Sequence, residues 1–151
     1  MNCAQITPQI FVGPCPCDRG DFDFLKATSV TAILSLLTEE DAHELDVTQE
    51  YSEAISADLA FRKVPVIDFD DLDLKRKLPA CVEALDDLLK QGHTVYIHCT
   101  AGVTRSPTVV AAYLHWRLQW PLGQALERLQ ERRRCCPRGD LIEMAKRSSL
   151  K

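Results

Sequence analysis

Apolar and polar positions along the chain follow two rhythms, and each predicts a different element. Short apolar runs bounded by turn residues predict strands: residues 9–13 (QIFVG), 31–36 (TAILSL), 61–67 (FRKVPVI, with Pro65 close to its end) and 94–99 (TVYIHC). Between and after them the apolar residues fall at helical spacing. In 78–92 they stand at 78, 81, 82, 85, 88 and 89, and Gly92 closes the stretch. Residues 21–27 and 48–58 predict two further helices, and Thr38 followed by acids predicts a helix N-terminus over 38–45. Three more helices are expected late in the chain. One runs over 106–119 with Ser106 as its N-cap and Pro107 in its first turn, one starts at Pro121, and one covers 139–148.

Strands and helices that alternate early, with helices clustered late, predict an α/β fold: a small, largely parallel central sheet flanked by helices. A length of 151 residues suits one domain over 1–151 with a sizeable core. The composition, 46% hydrophobic and 26% charged, is that of a soluble globular chain. No apolar run approaches the roughly 20 residues needed to cross a bilayer, and the opening MNCAQITPQIFVG lacks a basic segment followed by an apolar one. A cytoplasmic location, no membrane partner and a monomer are therefore expected.

Net charge is −4, unevenly placed: residues 1–60 hold 11 acids against 2 bases, and residues 61–151 hold 11 acids against 16 bases. A basic half of this kind suits a small anionic substrate as well as a nucleic acid, and no nucleic-acid partner is expected. The seven cysteines are an odd number in a chain for which no leader is expected, which argues for free thiols in a reducing compartment. Cys15-Pro16-Cys17 and Cys135-Cys136 lack the C-x-x-C spacing of a zinc site and have no neighbouring histidine. No metal or other cofactor is expected.

The stretch YIHCTAGVTRSP, residues 96–107, fits neither a core strand nor a helix: it brackets Gly102 with Cys99 and Arg105. It falls between the end of a predicted strand and the start of a predicted helix, the edge of an α/β sheet at which ligands bind. Unpaired N–H groups and the helix dipole favour an anion there, and a loop with a glycine can turn its N–H groups toward one centre. Arg105 adds a planar fork that matches two phosphate oxygens. The same field favours a thiolate at Cys99, placed to attack phosphorus and form a phosphocysteine that water then hydrolyses. Taken singly, Cys99 reads as a buried thiol, Arg105 as a surface cation, His98 as a strand-end histidine and Ser106 as a cap; together at this spacing they read as a phosphate loop. A leaving oxygen also needs a proton from an acid on another loop, and Asp68, Asp70, Asp71 and Asp73 are all candidates.

HCTAGVTRSP resembles the H-C-x-x-G-x-x-R-[ST] signature of the cysteine-based protein tyrosine phosphatase superfamily. Chain length and the signature's place two-thirds along resemble the dual-specificity branch. QITPQIFVGPCP, VPVIDFDDLDLKRKLPACVEAL and AAYLHW are most similar to the catalytic domains of plant starch-type glucan phosphatases. The resemblance implies that Cys99 is the nucleophile, Arg105 the phosphate-binding arginine, Ser106 the hydroxyl that helps the thiolate leave, and His98 the brace of the loop. It implies a phosphate cradle from the backbone of Thr100, Ala101, Gly102, Val103 and Thr104. It also implies that Asp68, at the end of the preceding strand, is the general acid, and that Phe69 contacts substrate beside it. Thr104 departs from the glucan pattern, which has a second glycine before the arginine. Tyr113, Trp116 and Trp120 could form a sugar platform, although their helical spacing in an apolar stretch suits a core.

The expected activity is metal-independent hydrolysis of phosphate monoesters on protein phosphotyrosine and phosphoserine/threonine. Phosphoglucan and phosphoinositide are the alternative substrates, and a phosphate-recognising binder without turnover is the non-enzymatic alternative.

Overall fold

The fold is described from a computed structural model of the chain, covering residues 1–41 and 47–149. A five-stranded sheet has the order β1-β2-β5-β3-β4. Its strands are β1 (Ala4–Thr7), β2 (Ile10–Gly13), β3 (Ala32–Ser35), β4 (Ala60–Lys63) and β5 (Val95–His98). Only the β1–β2 pair is antiparallel; β2, β5, β3 and β4 run parallel. The α/β expectation therefore holds, and β1 is an addition. Its sequence, AQIT, buries one residue and carries no apolar run to announce a strand.

Period-two alternation divides the core into two layers. Val12, Leu34, Val95 and Ile97 face one side, packed with α3 (Asp71–Lys90), α4 (Arg105–Trp116), α5 (Leu122–Arg132) and α6 (Gly139–Ser149). Phe11, Ile33 and Tyr96 face the other, with residues of α1 (Arg19–Ala27) and α2 (Val47–Ser56). β5 lies at the centre of the sheet with all four residues buried, so its carboxyl end is held by neighbours on both edges. His98 pairs in register with Gly13 on one side and Ser35 on the other.

Several boundaries differ from the sequence reading. α3 begins at Asp71 rather than 78 and runs through Pro79, because the Asp70 carboxylate accepts the Asp73 N–H and caps a start before the apolar stripe. β4 stops at Lys63, ahead of Pro65. α4 ends at Trp116 rather than 119. The helix expected from Thr38 is replaced, over the described residues, by a turn: the Thr38 N–H and hydroxyl both donate to Asp41, at 2.7 and 3.1 Å. The remainder of that stretch lies outside the described residues. Ser106 is not the N-cap of α4. The helix begins one residue earlier, Thr104 holds the cap position without a side-chain bond, and the Ser106 hydroxyl faces Cys99 instead.

Candidate active site

The loop from Cys99 to Thr104 joins the central strand β5 to α4 at the carboxyl edge of the sheet. Each of its carbonyls is engaged from outside the loop or by the following helix. Nδ1 of His98 meets the Cys99 oxygen at 3.0 Å, and the Cys15 N–H donates to Thr100 at 2.9 Å. Arg133 donates to Ala101 at 2.7 Å and to Gly102 at 2.8 Å. The Cys136 N–H donates to Val103 at 2.7 Å, and the Thr108 N–H to Thr104 at 3.0 Å. The N–H groups of residues 100–104, by contrast, find no acceptor among the described residues. Carbonyls tied outward and N–H groups left over make a cradle for an anion. Gly102 permits it. Its φ is +70°, and a Cβ there would meet the carbonyl carbon of Gly13 at 2.5 Å.

Cys99 is buried, with Sγ 3.4 Å from Oγ of Ser106. Arg105 is 3% exposed, and three elements fix its guanidinium. Nη1 donates to Val66 O at 2.8 Å and to Asp41 at 3.2 Å, while Nη2 donates to Asp41 and to the Thr100 hydroxyl, each at 2.9 Å. Nε is buried 3.3 Å from Oδ1 of Asp68, but the geometry there is not that of a hydrogen bond, so this donor has no partner among the described residues. Burial opposes ionisation of Asp41. Hydrogen bonds from Arg105, Thr38 and Thr100, with the Arg105 charge, outweigh it and hold the carboxyl down at about 2.

Of the four candidate acids, three have other partners. Asp70 caps α3. Asp71 pairs with Arg138 at 2.8 Å. Asp73 accepts the Ile67 N–H at 2.8 Å and pairs with Lys77 at 3.2 Å. Burial works against its ionisation, yet these bonds leave its carboxyl below the usual range. Asp68 is the one beside Arg105, with its side chain about a third exposed at 37%. Phe69 is 99% exposed and has φ +59°, a left-handed conformation uncommon for a residue with a large side chain. Asp68, Phe69, Thr104 and Arg105 line a cleft of about 160 Å³. Tyr113 and Trp120 are elsewhere. They line a groove of about 360 Å³ with Ile10 and Arg128, at the opposite edge of the sheet. Trp116 packs against the core with its indole nitrogen buried.

The sequence reading missed three contributors. Asp41 and Arg133 are charged residues in polar stretches and carry no mark that sets them apart. Glu50 does carry one. It shares the buried stripe of α2 with Ala54, four residues on, and a fully buried carboxylate at a core position of a helix needs a partner. That partner is His98. His98 falls on the same face as Tyr96, whose ring it stacks on, and its Nε2 makes a short contact with Glu50. The ring thus stands between two acceptors, the Cys99 carbonyl and the Glu50 carboxylate, so it is oriented from both ends. Cys15 is the neighbouring buried thiol. Burial first, and then the Glu50 charge, push it well up. Burial likewise pushes Cys81 up to about 12.

Residues 10–144 match the dual specificity phosphatase catalytic domain family. The chain belongs to that family. It is 36% identical over 127 residues to the phosphoglucan phosphatase LSF1 of Arabidopsis thaliana chloroplasts, covering 83% of this chain and 22% of that protein. It is 33% identical over 150 residues to the amyloplast phosphoglucan phosphatase DSP4 of Castanea sativa, covering 96% of this chain and 40% of that one. The chain thus spans about a fifth to two-fifths of the length of these relatives. The crystal structure of Tk-PTP in its active form shares the fold at TM-score 0.78 and 18% identity, over 97% of this chain and 94% of that one. Among the described residues, no helix is long and apolar enough to cross a membrane.

Proposed function

We propose that the chain is a single catalytic domain that hydrolyses phosphate monoesters through a phosphocysteine intermediate. The observation that supports this most is the loop itself: Cys99 Sγ sits at its base, its carbonyls are tied away, and Arg105 is clamped beside it. The N–H groups of 100–104 and the Nε of Arg105 hold the phosphate oxygens. Sγ attacks phosphorus, the P–O bond to the leaving group breaks, and Asp68 gives that oxygen its proton. Water then attacks the phosphocysteine, Asp68 takes a proton from it, and the Ser106 hydroxyl, 3.4 Å from Sγ, hydrogen-bonds the departing thiolate. No metal enters any step. His98 braces the loop through the Cys99 carbonyl, and Phe69 contacts substrate at the rim.

The substrate class proposed is protein phosphotyrosine and phosphoserine/threonine. The cleft carries one fully exposed aromatic, Phe69, at its rim, which suits a side chain on a peptide. A glucan chain would call for an aromatic platform continuous with the cleft, and Tyr113 and Trp120 stand at the other edge of the sheet. Phosphoglucan is the second reading, favoured by the two plant relatives. Phosphate release from a phosphopeptide panel and from solubilised starch, measured side by side, separates the two. Faster turnover on peptides is expected; a preference for starch overturns the first reading. Cys99→Ser should abolish release on every substrate while retaining affinity for inorganic phosphate, and substantial residual turnover in a clean preparation would overturn the mechanism.

A further inference from the structure

Behind the phosphate loop, on the face of the sheet covered by α2, three residues from distant parts of the chain converge: Cys15, Glu50 and His98. Cys15 Sγ, a carboxylate oxygen of Glu50 and a ring nitrogen of His98 lie within 4.8 Å of one another. All three residues are buried, with Glu50 and His98 at 0% exposure. A second observation points the same way. Oε1 of Glu50 is buried and has no hydrogen-bond partner among the described residues, although its other oxygen contacts His98. A fully buried carboxylate oxygen without a donor is costly, and a cation removes the cost.

We propose that Cys15, Glu50 and His98 form a binding site for a divalent, borderline-soft metal ion of the zinc type. The donor set of one thiolate sulfur, one imidazole nitrogen and one carboxylate is the mixture such ions select. Bonds of about 2.3 Å to sulfur and about 2.0–2.1 Å to nitrogen and oxygen place tetrahedral ligand atoms some 3.3–3.7 Å apart. To reach that geometry the three ligand atoms, within 4.8 Å of one another, draw in around the ion while the direct His98–Glu50 contact opens to admit it. Nδ1 of His98 is engaged by the Cys99 carbonyl at 3.0 Å, which directs Nε2 to the metal, the outer-shell arrangement that metal-bound histidines use. The second Glu50 oxygen is free to complete the coordination.

Charge balances. A divalent ion with Glu50 carboxylate, Cys15 thiolate and neutral His98 sums to zero. Binding releases the Cys15 thiol proton. The site is separate from the reacting atoms. Arg105 and Asp68 line the cleft and Cys99 Sγ lies against Ser106, while the Glu50 and His98 side chains meet on the face covered by α2. A metal here ties β5 and the loop after β2 to α2, directly behind Cys99.

Cobalt(II) is the probe, added to the reduced full chain as a single equivalent after removal of adventitious metal. A near-ultraviolet sulfur-to-cobalt charge-transfer band with intense tetrahedral visible bands is expected. The bands should persist in Cys99→Ser and vanish in Cys15→Ser. Zinc should displace the cobalt and raise the melting temperature of Cys99→Ser but not of Cys15→Ser. Glu50→Gln, which keeps the side-chain shape, serves as the second variant should Cys15→Ser fail to fold, and it should also abolish the bands. Absence of bands in the unmodified chain, bands that survive Cys15→Ser or Glu50→Gln, or bands that depend on Cys99 overturn the site.

Discussion

The carboxylate of Asp41 faces both terminal nitrogens of Arg105, at 2.9 and 3.2 Å, across a sequence separation of 64 residues. Its Oδ1 also accepts the Thr100 hydroxyl at 2.8 Å, so one buried acid fixes the guanidinium and the start of the phosphate loop together. Asp41→Asn keeps the shape and removes the charge. A fall of about 10²-fold in kcat/KM is expected, the cost of a small misplacement of a group that grips the reacting phosphate. Wild-type kinetics in the variant would show that Val66 O and Thr100 hold Arg105 unaided.

The same pair gives the fold a pH signature. The Asp41 carboxyl is held at about 2 in the folded chain against an ordinary value of 3.8, so the unfolded chain takes up its proton first as pH falls. Its contribution of about 2 kcal/mol is fully present above the ordinary value and is lost as pH drops through the folded one. Urea unfolding at pH 6 and at stepped values down to pH 2 should show a steeper loss in wild type than in Asp41→Asn. Parallel curves would remove the linkage.

Asp68 should reveal itself through the leaving group. An alkyl alcohol needs its proton as the P–O bond breaks, whereas an activated phenolate leaves nearly unaided. Asp68→Ala should cost about 10²–10⁴-fold on a phosphoserine peptide and far less on an activated aryl phosphate. Equal losses on both would make Asp68 structural, and the series would then pass to Asp71, the acid paired with Arg138.

Asp70 supplies the contrast. Its carboxylate accepts the Asp73 N–H at 2.9 Å as the cap of α3. Asp70→Ala should lower stability by about 1 kcal/mol and leave the leaving-group dependence as in wild type. A changed dependence would give Asp70 a part in proton transfer.

Arg133 and Gly102 test the cradle. Arg133→Gln releases the carbonyls of Ala101 and Gly102, and Gly102→Ala drives a methyl group into the Gly13 backbone. Both should weaken competitive inhibition by vanadate, with Gly102→Ala the more severe because its φ of +70° is also strained for alanine. Unchanged inhibition in both variants would place the anion site elsewhere.

Much of this molecule is written locally. Short apolar runs and helical stripes record burial of one face, which is a property of each segment, so the parallel sheet and most of its helices could be read without coordinates. The phosphate loop could be read too. Its parts must lie within a few residues of one another, because a strand end, a tight turn and a helix start are consecutive in the chain. Four aspartates within six residues are equivalent by residue type and spacing; the family resemblance points to Asp68, and the fold gives Asp70, Asp71 and Asp73 other partners and leaves Asp68 beside Arg105.

Tertiary structure alone decided what stands behind and around that loop. Asp41, Glu50, Cys15 and Arg133 reach it from four separate segments, and nothing in the local sequence of Asp41, Cys15 or Arg133 ranks them above other charged or sulfur-bearing residues. The sequence by itself determined most of the elements and the order of side chains along residues 98–106, since local backbone preference and side-chain type act over a few residues. Which distant side chains share a buried space depends on sheet order and on the face each strand residue presents. With β5 between β2 and β3, Cys15 arrives from the end of one neighbour, and the parity of His98 turns its ring toward α2 and Glu50.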